Sequence, residues 1–251
     1  MNRMKLPILL IPLLTLASAP RTFAANDFDA RKSEARRALQ QKQSDRKAYD
    51  TELETQGRAL MEAFPDKADG YQMLLLAAKK ADPAKQAALL KEIDREGTPA
   101  SVKSGIASLR SQLDLLGKPL GIQFKGFHGE NVDLAAMRGK VVLVDFWATW
   151  CGPCVAELPK VKAAYEKLHD RGFEIVGISF DSDRDKLESF VKSKDMPWPQ
   201  YFDGAGWKNA FGTQYGVRSI PAMWLVDKNG NLADLNGRDR LEEKVEKLLA
   251  R

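Results

Sequence analysis

The stretch Val141-Val-Leu-Val-Asp145-Phe-Trp147-Ala-Thr-Trp150-Cys151-Gly152-Pro153-Cys154 decides how the rest of the chain is read. Its first half is a continuous apolar, β-branched run bounded by Gly139 and Lys140, the pattern of a strand buried on both faces. Its second half holds the only two cysteines of the chain, where that strand should turn into a helix beginning near Pro153. A thiol in the first turn of a helix faces unpaired N–H groups and the positive end of the helix dipole, so its pKa falls below about 8.5. The second thiol lies one turn along, within reach of a disulfide. Such a pair is a two-electron switch that needs no cofactor beyond the Cys151–Cys154 disulfide itself. Asp145 is the one charge inside the apolar run. A lone carboxylate there has a raised pKa, which suits proton transfer near neutrality.

Trp150-Cys151-Gly152-Pro153-Cys154, with Asp145 six residues before the first cysteine and Ile220-Pro221 far downstream, resembles the thioredoxin superfamily. Three further runs narrow the resemblance to exported TlpA/ResA-type thiol-disulfide oxidoreductases. They are Glu157-Leu158-Pro159, the lead-in from Asn131-Val132-Asp133-Leu134 through Arg138-Gly139-Lys140, and Tyr215-Gly216-Val217-Arg218-Ser219-Ile220-Pro221. The resemblance covers about Pro119 to Arg251. It implies an α/β, thioredoxin-like fold: a mixed sheet with helices on both faces.

The same resemblance implies roles for individual residues. Cys151 would be the exposed nucleophile and Cys154 the resolving thiol. Thioredoxins carry an acid at the position of Asp145 to deprotonate the second cysteine, whereas many ResA-like sequences use a glutamate at the position of Glu157. This chain carries both. Pro221 resembles the family's cis-proline, which holds the backbone of Ile220 open to an extended substrate. Trp150, Gly152 and Pro153 complete the substrate-facing rim. His128 and His169 have no metal-ligand spacing and are assigned to surface or packing roles.

The N-terminus has the form of a secretory signal peptide, residues 1–24. Arg3 and Lys5 precede a 14-residue apolar run, Leu6 to Ala19, and small residues follow around Ala24. That run is shorter than the roughly 20 residues of a spanning helix, and retention as an N-terminal anchor is the alternative to cleavage. Either outcome predicts an extracytoplasmic, periplasmic protein. The formal charge of +5 does not make a nucleic-acid binder: three of the 39 basic residues lie in the segment to be removed, leaving 36 against 34 acidic ones, interspersed. Two cysteines in one motif also exclude a structural disulfide framework of the kind small exported domains use.

Residues 26–117 read as a helical domain. From Asn26 to Phe64 a narrow stripe (Phe28, Ala35, Leu39, Tyr49, Leu53, Leu60, Phe64) predicts one long, partly exposed helix, weakest between Gln40 and Lys47. Asp69 is expected to cap the next helix, Asp82-Pro83 the one after it, ending at Gly97, and Thr98-Pro99 opens the last, with Val102, Ile106, Leu109, Leu113 and Leu116 on one face. This domain would be a docking surface for partners, a self-association element or a spacer.

Residues 119–251 read as the thioredoxin-like domain: a strand within Pro119 to Phe127, the central strand, a helix from Val155 to Leu168, and a strand from Phe173 to Phe180. A helix from Asp183 to Lys194, a short element at Gln200 to Phe202, a hairpin of Ala222–Asp227 with Asn231–Leu235, and a helix from Arg240 to Ala250 follow.

The expected activity is reduction of disulfides in extracytoplasmic proteins, apocytochrome c among the candidates. The Gly-Pro pair between the cysteines matches thioredoxin, whose potential lies near about −270 mV, against about −120 mV for strong oxidants. A reductase in an oxidising compartment implies a membrane-embedded thiol electron donor. The competing readings are a disulfide oxidase or isomerase, and an assembly factor that works through its helical half.

Overall fold

The computed structural model describes residues 25–127 and 129–251; residues 1–24, read above as a signal peptide, and His128 lie outside the described residues. Five helices come first: α1 (Ala25–Gln41), α2 (Arg46–Ala63), α3 (Ala68–Lys80), α4 (Pro83–Ile93) and α5 (Ala100–Leu113). The single long helix expected over 26–64 is two helices. The chain breaks where the apolar stripe was weakest, because Asp45 caps α2 by accepting from the Ala48 N–H at 3.0 Å. Asp69 is not a cap; Lys67 takes that position, and Asp69 pairs instead with Lys32 of α1 at 2.6 Å. Asp82 does cap α4, accepting from the N–H groups of Ala84 and Lys85 at 3.1 Å. That helix stops at Ile93, short of Gly97. Val102, Ile106 and Leu109 form the buried stripe of α5, whereas Leu113, its last residue, is only half-buried and Leu116 lies beyond the helix and packs against the apolar cluster of the sheet.

The remainder builds a sheet. A hairpin of β1 (Gln123–Lys125) and β2 (Asn131–Asp133) precedes the central strand β3 (Val141–Trp147), which leads into α6 (Gly152–Leu168). Then come β4 (Phe173–Ser179), α7 (Arg184–Ser193), β5 (Gln200–Tyr201), α8 (Ala210–Gln214), β6 (Ala222–Val226), β7 (Leu232–Asp234) and α9 (Leu241–Leu249). The five-stranded sheet runs β5-β4-β3-β6-β7, with β3, β4 and β5 parallel and β6 and β7 antiparallel. It is the mixed sheet that the resemblance implied. The first strand is shorter than expected, three residues, and the five-residue helix α8 had no periodic signal long enough to announce it.

Successive side chains of a strand point to opposite faces, and the ring contacts of β3 fix which helices lie where. Trp147 packs on Phe190 of α7, centroids 5.7 Å apart, and Lys162 of α6 donates to the Lys194 carbonyl at the end of α7 at 2.9 Å. Phe146 packs at 5.0 Å on Trp224, which meets Tyr215, just after α8, at 6.1 Å. So α6 and α7 cover the Trp147 face, and α8 covers the other with the hairpin strand β1, whose Phe124 meets Phe211 at 6.3 Å. Asp145, two residues from Trp147, lies on the α6 side.

The buried apolar residues of the sheet half form one cluster, and those of α1–α5 form separate ones. Apart from Leu115 and Leu116, which pack against the sheet cluster, the halves meet through polar contacts. Gln112 of α5 donates to the Gly216 carbonyl at 2.8 Å, as does Ser108, Lys79 of α3 reaches Ser219 Oγ at 3.3 Å, and Arg46 of α2 pairs with Asp239. Three of these four contacts land on residues 216–219, just before Pro221.

Helices α2 and α3 cross closely because Gly57 and Gly70 face each other. A Cβ on Gly70 would collide with the backbone of Met61 and sit 2.7 Å from the Gly57 carbonyl oxygen. We expect Gly70→Ala to lower unfolding stability by about 2 kcal/mol in urea denaturation, through overpacking. Helix propensity alone would raise it by roughly 1 kcal/mol, so a stabilised variant would contradict the close crossing.

Candidate active site

The site forms where β3 ends and α6 begins. Cys151 and Cys154 are joined in a disulfide with a Cα–Cα distance of 5.2 Å. Cys151 is the N-cap residue of α6, and its Sγ accepts from the Cys154 N–H at 3.2 Å; Pro153 occupies the first turn. The sulfur therefore faces the helix N–H groups, which stabilise a thiolate at that position. In this oxidised state Cys151 is 5% exposed and Cys154 7%, so exposure does not separate the two as expected for the pair, and the N-cap position is what distinguishes them. Gly152 and Pro153 are exposed beside them.

Asp145 is the only residue of β3 that is not fully buried. The surrounding protein still desolvates its carboxyl and pushes its pKa up to about 7, with no charge or hydrogen bond offsetting that effect. Glu157 is in the opposite situation. Partial burial pushes its carboxyl up, but hydrogen bonds and charge from Arg238, at 2.8 Å, and Lys160, at 3.3 Å, outweigh that and hold its pKa below the usual carboxylate value. The two acids that the resemblance offered as alternative bases are thus electrostatically unlike.

The peptide bond between Ile220 and Pro221 is cis, and Pro221 and Glu157 line the same cleft. Trp150 is 53% exposed and pairs at 5.9 Å with Trp207, itself 52% exposed. His169 is a surface residue whose ring meets Tyr165 at 4.5 Å, and its Nδ1 lies 3.2 Å from the Phe173 carbonyl.

Three contributors escaped the sequence. Trp207 stands in a turn without periodicity, 57 residues from its partner, and Arg238 is one of many surface cations. The third is Asp181, 3% exposed, which anchors the loop between β3 and α6. It accepts from the Thr149 N–H at 3.0 Å, the Thr149 hydroxyl at 2.6 Å and the Ser179 hydroxyl at 2.8 Å. Asp183, two residues on, caps α7 by accepting from the Lys186 N–H at 3.1 Å, and by sequence alone the two aspartates look alike.

A dithiol–disulfide pair at a helix start, on a mixed sheet with helices on both faces, defines a thioredoxin-like thiol-disulfide oxidoreductase. Residues 121–249 match the Redoxin family, and the chain belongs to it. It is similar to the thiol-disulfide oxidoreductase ResA of Bacillus thuringiensis subsp. konkukian, 32% identical over 124 residues, which is 48% of this chain and 70% of that one. It is also similar to the thioredoxin-like protein YneN of Bacillus subtilis, 28% identical over 50% of this chain and 72% of that one. Among solved structures, the thioredoxin domain of a thiol-disulfide oxidoreductase from Bacteroides vulgatus is 29% identical, with a TM-score of 0.47 over 51% of this chain and 92% of that one.

The raised pKa of Asp145 has a consequence for stability. Its folded value, about 7, lies above the unfolded 3.8, so its contribution is fully present below the unfolded value and is lost as pH rises to about 7. Relative to Asp145→Asn, the wild type should lose stability between about pH 4 and 7, by at most about 4 kcal/mol. Chemical denaturation of both proteins at several pH values checks this; a constant difference would contradict it.

Proposed function

We propose that this chain is an exported reductase of protein disulfides, with residues 1–24 as a signal peptide, 26–117 as a helical docking or self-association domain and 119–251 as the catalytic domain. The observation that carries the reading is the chain's sole cysteine pair, closed as a disulfide at the start of α6, with the desolvated carboxyl of Asp145 on the same side of the sheet. The separate apolar clusters of the two halves support the domain boundary.

In the reduced protein, the Cys151 thiolate attacks a substrate disulfide. A bond forms between Cys151 Sγ and one substrate sulfur, and the other substrate sulfur leaves as a thiolate that takes up a proton. Asp145, ionised for part of the time near neutrality, accepts the Cys154 proton. The Cys154 thiolate then attacks Cys151 Sγ, the second substrate thiol is released, and two electrons have passed from the dithiol to the substrate. Glu157, held ionised by Arg238 and Lys160, is the weaker base and serves charge balance at the mouth of the site. Trp150, Gly152, Pro153, Ile220 and Pro221 form the surface against which the substrate strand lies. The Cys151–Cys154 disulfide is the only redox group required.

In this reading the enzyme works in the periplasm, on apocytochrome c or other misoxidised exported proteins, and a membrane-embedded thiol donor returns it to the dithiol form. Rapid mixing of the pre-reduced protein with a peptide disulfide, with acid quench of the mixed disulfide, tests the reading. The wild type should release reduced peptide; Asp145→Asn should form the mixed disulfide normally and resolve it about 100-fold more slowly, the usual loss of a general base. Glu157→Gln should resolve it nearly as fast as the wild type. Stalled resolution in Glu157→Gln alone would place the base on α6. A reduced protein that leaves the peptide oxidised, while its disulfide form readily oxidises peptide dithiols, would make it an oxidase.

A further inference from the structure

The cleft lined by Pro221 and Glu157 extends away from the cysteines, neither of which lines it. It has a volume of about 580 Å³ and continues between the two halves, where Arg46, Leu76, Lys79 and Lys80 form the wall contributed by α2 and α3. This wall lies outside the span that matches the Redoxin family. Six cations line the cleft, Arg46, Lys79, Lys80, Lys160, Arg218 and Arg238, against two carboxylates, Glu157 and Asp239. Both carboxylates are already engaged, Glu157 by Arg238 and Lys160, and Asp239 by Arg46. Lys80 pairs with Asp50 at 3.3 Å. Among the described residues, Lys79 and Arg218 have no carboxylate partner. Lys79 has only the Ser219 hydroxyl, at 3.3 Å, and although the residue is exposed, burial around its ammonium lowers its pKa. Leu76, 41% exposed, adds an apolar surface to the same wall.

We propose that this cleft binds an acidic, extended segment of the disulfide-bearing substrate protein, with Lys79 and Arg218 pairing its carboxylates and Leu76 packing on its apolar side chains. The inference rests on the reductase reading for the identity of that protein, and under it the helical half selects substrates by the charge next to their disulfide. Geometry favours a polypeptide over other anions. The cleft is concave where a bilayer is flat, it runs between two halves of the chain as a groove for an extended segment would, and Pro221, which follows the cis bond from Ile220, lines it. Charge complementarity of this kind adds specificity and is screened by salt.

Binding is tested on the oxidised full-length protein with fluorescein-labelled, cysteine-free peptides of one length, rich either in Glu and Leu or in Gln and Leu, followed by anisotropy. The acidic peptide should bind about tenfold more tightly, the scale of two partly exposed ion pairs, and the Lys79→Glu/Arg218→Glu variant should lose that preference. If this variant does not fold, Lys79→Gln and Arg218→Gln singly should each reduce the preference several-fold. Equal binding of the two peptides, or a preference unchanged in the variants, overturns the proposal. So does displacement of the peptide by an equal concentration of inorganic phosphate, or binding to phosphatidylglycerol vesicles without binding to the peptide. Single-turnover reduction of one disulfide loop with acidic or with neutral flanks separates the two readings. Preferential binding of the acidic peptide without reduction of either loop would sink the reductase and leave the cleft; equal binding and equal reduction would sink the cleft and leave the reductase.

Discussion

The carboxyl of Asp145 is held in the central strand of a sheet whose other β3 residues are all fully buried, and nothing in the described structure neutralises it. That is a costly place for a charge, and folding tolerates it because the group can stay protonated up to about neutral pH. Much of the surrounding architecture keeps this condition. The parallel pairing of β3 with β4 and the antiparallel pairing with β6 place Asp145 between Gly177 and Met223, neither of which offers a charge. Helices α6 and α7 close the same face. The same strand delivers the chain to the first turn of α6, so the raised carboxyl and the N-cap sulfur are set by one element.

Around that core the polar contacts are arranged in support. Asp181 ties down the loop after β3 through Thr149, and Trp147 Nε1 donates to Gln200 at 2.9 Å, linking the central strand to the edge strand β5. Asn209 donates to the Ser179 carbonyl at 2.9 Å, joining the start of α8 to the end of β4. On the far side, α3 and α5 of the helical half hold residues 216–219 through Lys79, Ser108 and Gln112. The loop that leads to Pro221 is therefore held in part by residues from outside the Redoxin span.

How far the sequence disclosed this depended on the range over which each signal acts. The strand before the cysteines, the cap at Asp82 and the first three positions of the α5 stripe are local patterns, and they stand in the structure where the sequence puts them. The break between α1 and α2 was visible only as a weakening of the stripe, because the deciding group, Asp45, is one of several polar residues there. The contrast between Asp145 and Glu157 was partly legible: an acid inside an apolar strand announces its own desolvation, but the lowered pKa of Glu157 comes first from Arg238, 81 residues away, which no spacing reveals, and only then from the neighbouring Lys160. Trp207 beside Trp150 and the cation-lined cleft arise in the same way, from tertiary juxtaposition of residues that are ordinary in sequence.

The redox site requires that the Asp145 carboxyl remain protonated close to neutral pH while that of Glu157 does not. Carbon-detected NMR of side-chain carboxyls in the oxidised full-length protein, assigned by comparison with Asp145→Asn and Glu157→Gln, measures both midpoints directly. The expected result is an Asp145 midpoint near 7 and a Glu157 midpoint below the ordinary carboxylate value. An Asp145 midpoint near the 3.8 of a free aspartate, or a Glu157 midpoint above that of Asp145, would contradict it.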